Sequence, residues 1–135
     1  MYYRLNNRRK SSGKKSIIII EDNKFMLSLL TKILSDDFAV HTFTCPNEAK
    51  YWIREGNNVD VIISDINLDQ SNGIDFAKDM KSDEHFRNIP FIFLSGMDEK
   101  EVNYDSEDLK YDAYINKPFN PGLLIDQIKE VAWLV

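Results

Sequence analysis

The sequence has few of the residues and runs that stabilise small extracellular domains or cross membranes. It contains one cysteine, Cys45, which excludes an internal disulfide and a zinc site of the cysteine-based finger type. Its longest apolar runs, such as residues 17–20, are far shorter than the roughly 18–20 residues that span a bilayer. The first 15 residues lack the apolar stretch of a signal peptide. We therefore expect a cytoplasmic protein that makes no membrane contact.

The chain also lacks positive charge outside its N-terminus. Six of its 17 Lys and Arg residues lie in residues 1–15, where there is no Asp or Glu. Residues 16–135 therefore hold 11 basic and 22 acidic residues. An acidic body repels nucleic-acid phosphates, so any nucleic-acid binding would have to come from the basic N-terminal segment. The same charge favours binding of a metal cation.

The length and the hydrophobic content predict one domain preceded by a short arm. The chain has 135 residues, of which 43% are hydrophobic, a size that fits a single compact unit. Residues 1–15 show neither helical nor strand periodicity, and they predict a flexible basic arm. The folded domain is expected over residues 16–135.

Short apolar runs alternate with segments of helical period along this domain. The runs lie at residues 17–20, 39–43, 59–64, 90–95 and 112–116. Four intervening segments predict helices, whereas residues 97–110 are acidic and poor in apolar residues, which predicts a short, exposed or mobile element. The alternation indicates an α/β fold, a doubly wound five-stranded parallel sheet with flanking helices. In such sheets functional residues follow the carboxyl ends of the strands.

Three carboxylates occupy such positions. Glu21 and Asp22 follow the first run, and Asp65 follows the third. Three carboxylates brought together repel one another unless a cation binds. Oxygen ligands with few protein contacts suit Mg²⁺, and Mn²⁺ could substitute for it. The pattern predicts a divalent-cation site.

Two further residues of suitable chemistry end the fourth and follow the fifth run. Ser95 offers a hydroxyl and Lys117 an ammonium, and both groups bind the oxygens of a tetrahedral anion. With the metal and the carboxylates they would form a phosphoryl-binding set. Asp65 is the natural nucleophile because it ends a buried central strand and aspartyl phosphates are established covalent intermediates.

Taken together, the motifs resemble those of the response-regulator receiver domain, the phosphoacceptor module of two-component signalling. The resemblance extends over about residues 16–135. The matching residues are Glu21-Asp22 after IIII, Asp65 in DVIISD, Gly73, Ser95 in PFIFLSG, and YINKPF at residues 114–119. It implies a flavodoxin-like, CheY-like fold with strand order 2-1-3-4-5.

The resemblance also implies a role for each matching residue. Asp65 would accept a phosphoryl group from a sensor histidine kinase or a phosphotransfer protein. Asp22 and Asp65 would ligate Mg²⁺, Glu21 would act through water, and the backbone carbonyl of Asn67 would complete the protein ligands. Such a domain catalyses only its own phosphorylation and dephosphorylation.

The remaining roles that the resemblance implies concern the conformational switch to the active state on phosphorylation. Ser95 would bind a phosphoryl oxygen in the active state, Lys117 would pair with the phosphate, and Tyr114 would be the switch aromatic. The peptide before Pro118 matches a position that is cis in the family. Phosphorylation would then change contacts with a downstream protein partner, or with a second copy of the chain through the last helices and strand.

Several positions depart from the family pattern, and two other functions remain open. Asp69 stands where the family commonly has proline, Gly96 where alanine is common, and Lys110-Tyr111 where small residues are usual. One alternative is a phosphatase or phosphotransferase with Asp65 as nucleophile, although Asn67 stands where such enzymes typically carry a second carboxylate. The other is a pseudo-receiver that binds partners without phosphorylation.

Overall fold

The structure is a computed structural model that describes residues 13–105 and 109–133, the side chains of residues 103–105 excepted. In chain order its elements are β1 (Lys15–Ile20), α1 (Lys24–Leu34), β2 (Phe38–Phe43), α2 (Pro46–Arg54), β3 (Val61–Ser64), β4 (Asn67–Leu68), β5 (Ser71–Asn72), α3 (Gly73–Ser82), β6 (Phe91–Ser95), α4 (Glu99–Asp105), β7 (Ala113–Asn116) and α5 (Pro121–Trp133). Residues 1–12 of the predicted basic arm lie outside the described residues.

Five of the strands form one parallel sheet in the order β2-β1-β3-β6-β7. Strands β4 and β5 pair only with each other, as a small antiparallel hairpin. Without this hairpin the order of the five main strands is 2-1-3-4-5, which confirms the predicted α/β doubly wound sheet. The order reverses between β1 and β3, so their carboxyl ends flank the crevice where such folds bind ligands.

The sheet is buried on both faces because successive side chains of a strand point to opposite sides. On one face Ile17 and Ile19 pack in a core cluster that includes residues of α1 and α5. On the other, Ile18 and Ile20 pack with residues of α2, α3 and α4. The uninterrupted IIII run is therefore the expected sequence of a central parallel strand.

Helix caps fix the connections next to the carboxyl ends of β1 and β3. The side chain of Asn23 accepts a hydrogen bond from the backbone N–H of Met26 at 2.9 Å, which starts α1. The side chain of Asn72 accepts one from Ile74 N–H at 2.7 Å, which starts α3. Each cap satisfies a backbone donor that the first helical turn leaves without a partner.

The acidic segment after β6 forms a short helix, α4, which agrees with the short element that the sequence predicted. Helix α4 has seven residues, and Val102 is its one buried side chain among those that the structure describes. Residues 106–108 of the segment lie outside the described part of the chain. The helices that the structure describes are all too short or too polar to span a membrane.

Candidate functional site

Three carboxylates converge at the carboxyl edge of the sheet. Glu21 and Asp22 follow β1 and Asp65 follows β3, and the two strands are hydrogen-bonded neighbours. One oxygen from each carboxylate lies within 4.8 Å of the other two. Glu21 is 3% exposed and Asp65 is 9% exposed, whereas Asp22 is half-buried. The predicted cluster is therefore formed, with two of its charges held away from solvent.

The ammonium of Lys117 lies against this cluster. Its Nζ donates hydrogen bonds to Glu21 Oε1 at 2.6 Å and to Asp65 Oδ2 at 3.1 Å. The peptide between Lys117 and Pro118 is cis, as the resemblance implied. The Lys117 backbone N–H donates to the Ser95 carbonyl at 2.8 Å, which fixes the start of the side chain.

Burial and ion pairing act in opposite directions on these two charged groups. Burial raises the pKa of the Glu21 carboxyl, and the hydrogen bonds from Lys117 and from the Asn23 N–H only partly offset it. Burial acts to lower the pKa of the Lys117 ammonium, but its bonds to Glu21 and the charge of Asp65 outweigh burial and raise that pKa. Lys117 is therefore firmly charged at neutral pH.

The carboxylate of Asp65 is oriented from two sides. Its Oδ1 accepts hydrogen bonds from the backbone N–H groups of Ile66 at 2.7 Å and Asn67 at 3.4 Å, while Oδ2 faces Lys117.

The backbone that carries Asp65 also makes a close approach to Gly73. A Cβ on Gly73 would lie 2.0 Å from the Asp65 carbonyl oxygen, so only glycine fits there. This contact explains the glycine eight residues after the carboxylate.

Ser95 is fully buried at the end of β6, the strand that pairs with β3 and therefore lies next to the strand that Asp65 follows. Its Oγ accepts a hydrogen bond from the Met97 N–H at 3.1 Å. Tyr114 on β7 is half-buried, and its hydroxyl donates to the Met97 carbonyl at 2.8 Å. Burial raises the pKa of Tyr114, and its hydrogen bond with Ser95 partly offsets that rise. The predicted serine and switch tyrosine are therefore connected in this structure.

Asn67 and Asp69 belong to the β4–β5 hairpin, which the sequence analysis missed. Asn67 is exposed, and ligation of a metal by its backbone carbonyl remains a prediction. Asp69 approaches Asp22, and its hydrogen bond with Asp22 and the negative charge of that residue raise the pKa of Asp69. A fourth carboxyl thus borders the cluster at the position where the family commonly has proline.

The donor set fits a hard divalent cation. In the described part of the chain, the Lys117 ammonium contacts two of the three carboxylates, so the cluster keeps an excess of negative charge. Oxygen ligands that do not enclose the ion suit a metal that keeps several of its waters and binds phosphoryl oxygens. The acidic cluster can therefore hold a metal ion.

The fold and the site define a doubly wound α/β domain with an acidic, lysine-containing crevice at its switch point. Comparison with protein families gives a match to the response regulator receiver domain over residues 17–129. The chain belongs to this family, and it is a receiver domain of two-component signalling.

Individual relatives agree with that assignment. The chain is 26% identical over 117 residues to the chemotaxis protein CheY1 of Helicobacter pylori, covering 85% of this chain and 94% of that protein. It is 30% identical over 110 residues to the response regulator SaeR of Staphylococcus epidermidis, covering 81% of this chain but only 46% of SaeR. The crystal structure of the phosphorylated cyanobacterial phytochrome response regulator RcpA superposes with a TM-score of 0.73 at 28% identity, covering 87% and 91% of the two chains.

The family assignment favours a signalling domain over the phosphatase alternative. Receiver domains interact with histidine kinases and downstream effectors. The chain spans about half the length of SaeR.

Proposed function

We propose that Asp65 accepts a phosphoryl group from a sensor histidine kinase or a phosphotransfer protein, in a Mg²⁺-dependent reaction. The observation that carries this proposal is the placement of the Lys117 ammonium against the carboxylates of Glu21 and Asp65, with Asp22 beside them. This arrangement combines a nucleophile, a fixed positive charge and a cation-binding set within one crevice.

In the proposed reaction an Asp65 carboxylate oxygen attacks the phosphorus of phosphohistidine. An O–P bond forms as the P–N bond breaks, and the departing histidine keeps the electron pair of that bond. The backbone N–H groups of Ile66 and Asn67 hold one carboxylate oxygen, so the carboxylate is oriented before the donor arrives. Lys117 supplies positive charge where negative charge collects on the transferred group.

Asp22 and Asp65 would hold Mg²⁺, with Glu21 acting through water and the Asn67 carbonyl as a further ligand; Mn²⁺ would serve in its place. When bound, such an ion neutralises charge on the phosphoryl oxygens and aligns the in-line transfer. Hydrolysis of the aspartyl phosphate in the same site would return the domain to its resting state. Both reactions concern the chain's own phosphoryl group, and no external substrate is proposed.

Phosphorylation would be read out through Ser95 and Tyr114. The Ser95 hydroxyl would leave the Met97 N–H for a phosphoryl oxygen, and the Tyr114 hydroxyl would then lose its neighbour. Because Tyr114 lies on the edge strand β7, this change biases the face formed by α4, β7 and α5. A downstream protein partner would bind there. The alternative is a homodimer through the same elements, to which Leu123 and Trp133 would contribute exposed apolar surface on α5.

The proposed domain boundaries are those of the sequence analysis, an arm over residues 1–15 and a receiver domain over residues 16–135. The family match over residues 17–129 supports the second of these. A cytoplasmic location, where a histidine kinase donates its phosphoryl group, is part of the proposal, and nucleic-acid contact is proposed only through the basic arm. The pseudo-receiver alternative is disfavoured because Asp22, Asp65, Ser95 and Lys117 are all present.

The test is labelling with acetyl phosphate, with and without Mg²⁺, followed by intact mass measurement. The wild type should gain one phosphoryl group only when Mg²⁺ is present, and Asp65→Asn should gain none. Asp75→Asn changes an exposed carboxylate on α3 and should be labelled like the wild type. Failure of the wild type to acquire label, or labelling of Asp65→Asn to the same extent, would contradict the proposed function.

A further inference from the structure

The segment that follows Ser95 is tied to the polypeptide around β7 by three side-chain hydrogen bonds. The hydroxyl of Tyr114 and the side-chain amide of Asn116 both donate to the Met97 carbonyl, at 2.8 and 2.9 Å. The hydroxyl of Tyr111 donates to Glu99 Oε2 at 2.7 Å. The chain between Ser95 and the first residue of α4 is thus held at two points.

Tyr111 is a departure from the family pattern, which has a small residue at this position. Its ring lies edge-on to the rings of Phe93 and Tyr114, with centroid distances of 5.3 and 6.1 Å. These contacts confine the ring next to the switch aromatic. The hydroxyl is thereby aimed at Glu99, the residue that starts α4.

This tie anchors the first residue of α4 to the segment that precedes β7. Among the described side chains of this seven-residue helix, Val102 supplies the buried apolar contact, whereas Lys100 and Glu101 are exposed. The Tyr111–Glu99 hydrogen bond adds a contact at the N-terminal end of α4, three residues before Val102.

We propose that Tyr111 is a positioning residue whose hydroxyl, bound to Glu99, holds the segment after Ser95 in its resting position and so opposes phosphoryl binding at Asp65. The proposal rests on the proposed function and adds a regulatory contact to it. It concerns the contact between Tyr111 and Glu99, which lies outside the metal and phosphoryl cluster.

The physical reason is a competition between two arrangements of one segment. In the resting structure the Ser95 hydroxyl is engaged by the Met97 N–H and by Tyr114. Binding of a phosphoryl oxygen requires the hydroxyl to give up these partners, and residues 96–98 then adjust between Ser95 and Glu99. A bond made only in the resting arrangement lowers the population of the arrangement that binds a phosphoryl oxygen. It therefore also lowers the apparent affinity of the protein for a phosphoryl group.

The test is titration with beryllofluoride in the presence of Mg²⁺, a non-covalent stand-in for the phosphoryl group. Tyr111→Phe removes one oxygen and keeps the ring contacts, and it should raise the apparent affinity about threefold to tenfold, the range expected for one partly exposed hydrogen bond. Glu99→Ala should give a similar gain, and the double variant should give no further gain because both changes remove the same bond. Glu99→Gln keeps an acceptor oxygen and should show a smaller gain.

A matched control is Tyr51→Phe, which removes a hydroxyl from a 67% exposed ring on α2 and should leave the affinity unchanged. A purely structural role for Tyr111 predicts lower stability without tighter binding. An unchanged or weaker affinity in Tyr111→Phe, or additive gains in the double variant, would overturn the proposal.

Amide hydrogen exchange without any phosphoryl analogue separates this inference from the proposed function. If the tie holds the segment, Tyr111→Phe should accelerate exchange at residues 96–102 relative to the wild type and to Tyr51→Phe. Unchanged exchange would overturn the tie itself. If the wild type binds no beryllofluoride, the proposed function fails, and the exchange comparison still decides whether Tyr111 holds the segment.

Discussion

The ammonium of Lys117, which follows β7, lies 3.1 Å from Oδ2 of Asp65, which follows β3. The same ammonium also contacts Glu21, so one positive charge serves two carboxylates that have little exposure to solvent. Lysine thus neutralises part of the cluster before any cation binds. The remaining negative charge leaves a cluster of carboxylates that could hold a metal ion.

Replacement of Lys117 by methionine should therefore destabilise the metal-free protein. Methionine keeps the bulk of the side chain but leaves Glu21 buried without its ion pair. We expect a loss of about 1–3 kcal/mol in the free energy of unfolding, below the range for fully buried pairs because Lys117 is partly exposed. Urea denaturation with a chelator measures this loss, and Mg²⁺ should recover more stability in the variant than in the wild type.

Lys129→Met provides a matched control for that experiment. Lys129 pairs with Asp37 at 3.0 Å, and the Lys129 side chain is exposed whereas that of Asp37 is half-buried. Loss of a surface pair should cost less than about 1 kcal/mol, and Mg²⁺ should not affect it. Equal losses in the two variants would show that the Lys117 ion pair contributes no more to the free energy of unfolding than a surface pair does, despite the burial of Glu21.

Asp22→Asn should separate electrostatic repulsion from metal binding. Removal of one charge from the cluster should leave the metal-free protein at least as stable as the wild type, because the carboxylates repel one another. The wild type should become more stable as Mg²⁺ is added, by about 2.7 kcal/mol at one hundred times the dissociation constant. The variant should lose most of this gain.

Thermal unfolding across a Mg²⁺ series measures both effects. Asp36→Asn removes an exposed carboxylate distant in sequence from the cluster and should respond to Mg²⁺ as the wild type does. A Mg²⁺ response in Asp22→Asn equal to that of the wild type would place the cation somewhere other than the predicted cluster.

The fold and most of the candidate site could be predicted because both depend on periodicity along the chain. Buried parallel strands leave continuous apolar runs, such as the one that ends at Ile20, and the residues that follow them must meet at one sheet edge. The positions of Glu21, Asp65 and Lys117 follow from this rule and the resemblance together. Their hydrogen bonds could not be predicted, because those depend on side-chain rotamers.

Contacts between two irregular segments left no periodic signal. The hairpin that brings Asp69 to Asp22 has strands of two residues, too short to show alternation. The Tyr111–Glu99 bond joins a loop to a helix across 12 positions of sequence. The signal that the sequence does carry is that Asp69 and Tyr111 depart from the family pattern.

Gly73→Ala should destabilise the protein, although alanine ordinarily stabilises a helix relative to glycine. The new Cβ would lie 2.0 Å from the Asp65 carbonyl oxygen and 2.8 Å from Ile66 Cα, and both atoms belong to the backbone. Relief of this clash requires displacement of α3 from the segment that carries Asp65. We expect a loss of about 3 kcal/mol or more, together with slower labelling of Asp65 by acetyl phosphate.

The control for this substitution is Gly122→Ala in α5. A Cβ there would meet only the Asn120 side-chain oxygen, at 3.3 Å, and the change in stability should stay within about 1 kcal/mol of the wild type. Chemical denaturation of the two variants gives the comparison. Similar stabilities for both would mean that the close approach at Gly73 can be relieved at little cost.

His41 should make stability depend on pH in a predictable direction. It lies half-buried on the edge strand β2 with its ring 4.5 Å from that of Trp52, measured between centroids. A cation over an indole ring is attracted to it, but burial disfavours the charged imidazole and lowers the pKa of His41 below its ordinary value near 6.5. The folded state therefore binds fewer protons at this residue than the unfolded state does. Its contribution to stability is present above pH 6.5 and is lost as the pH falls through the folded-state pKa.

Comparison of the wild type with His41→Gln isolates this contribution, because glutamine does not titrate and the other ionisable groups are shared. The free energy of unfolding of the wild type, minus that of the variant, should decrease as the pH is lowered from 7 to 5. An NMR titration of the His41 ring protons should give a pKa below 6.5, and the fluorescence of Trp52 should change over the same pH interval. A pKa at or above 6.5, or a stability difference that rises as the pH falls, would mean that attraction to the Trp52 ring outweighs the cost of burying the charge.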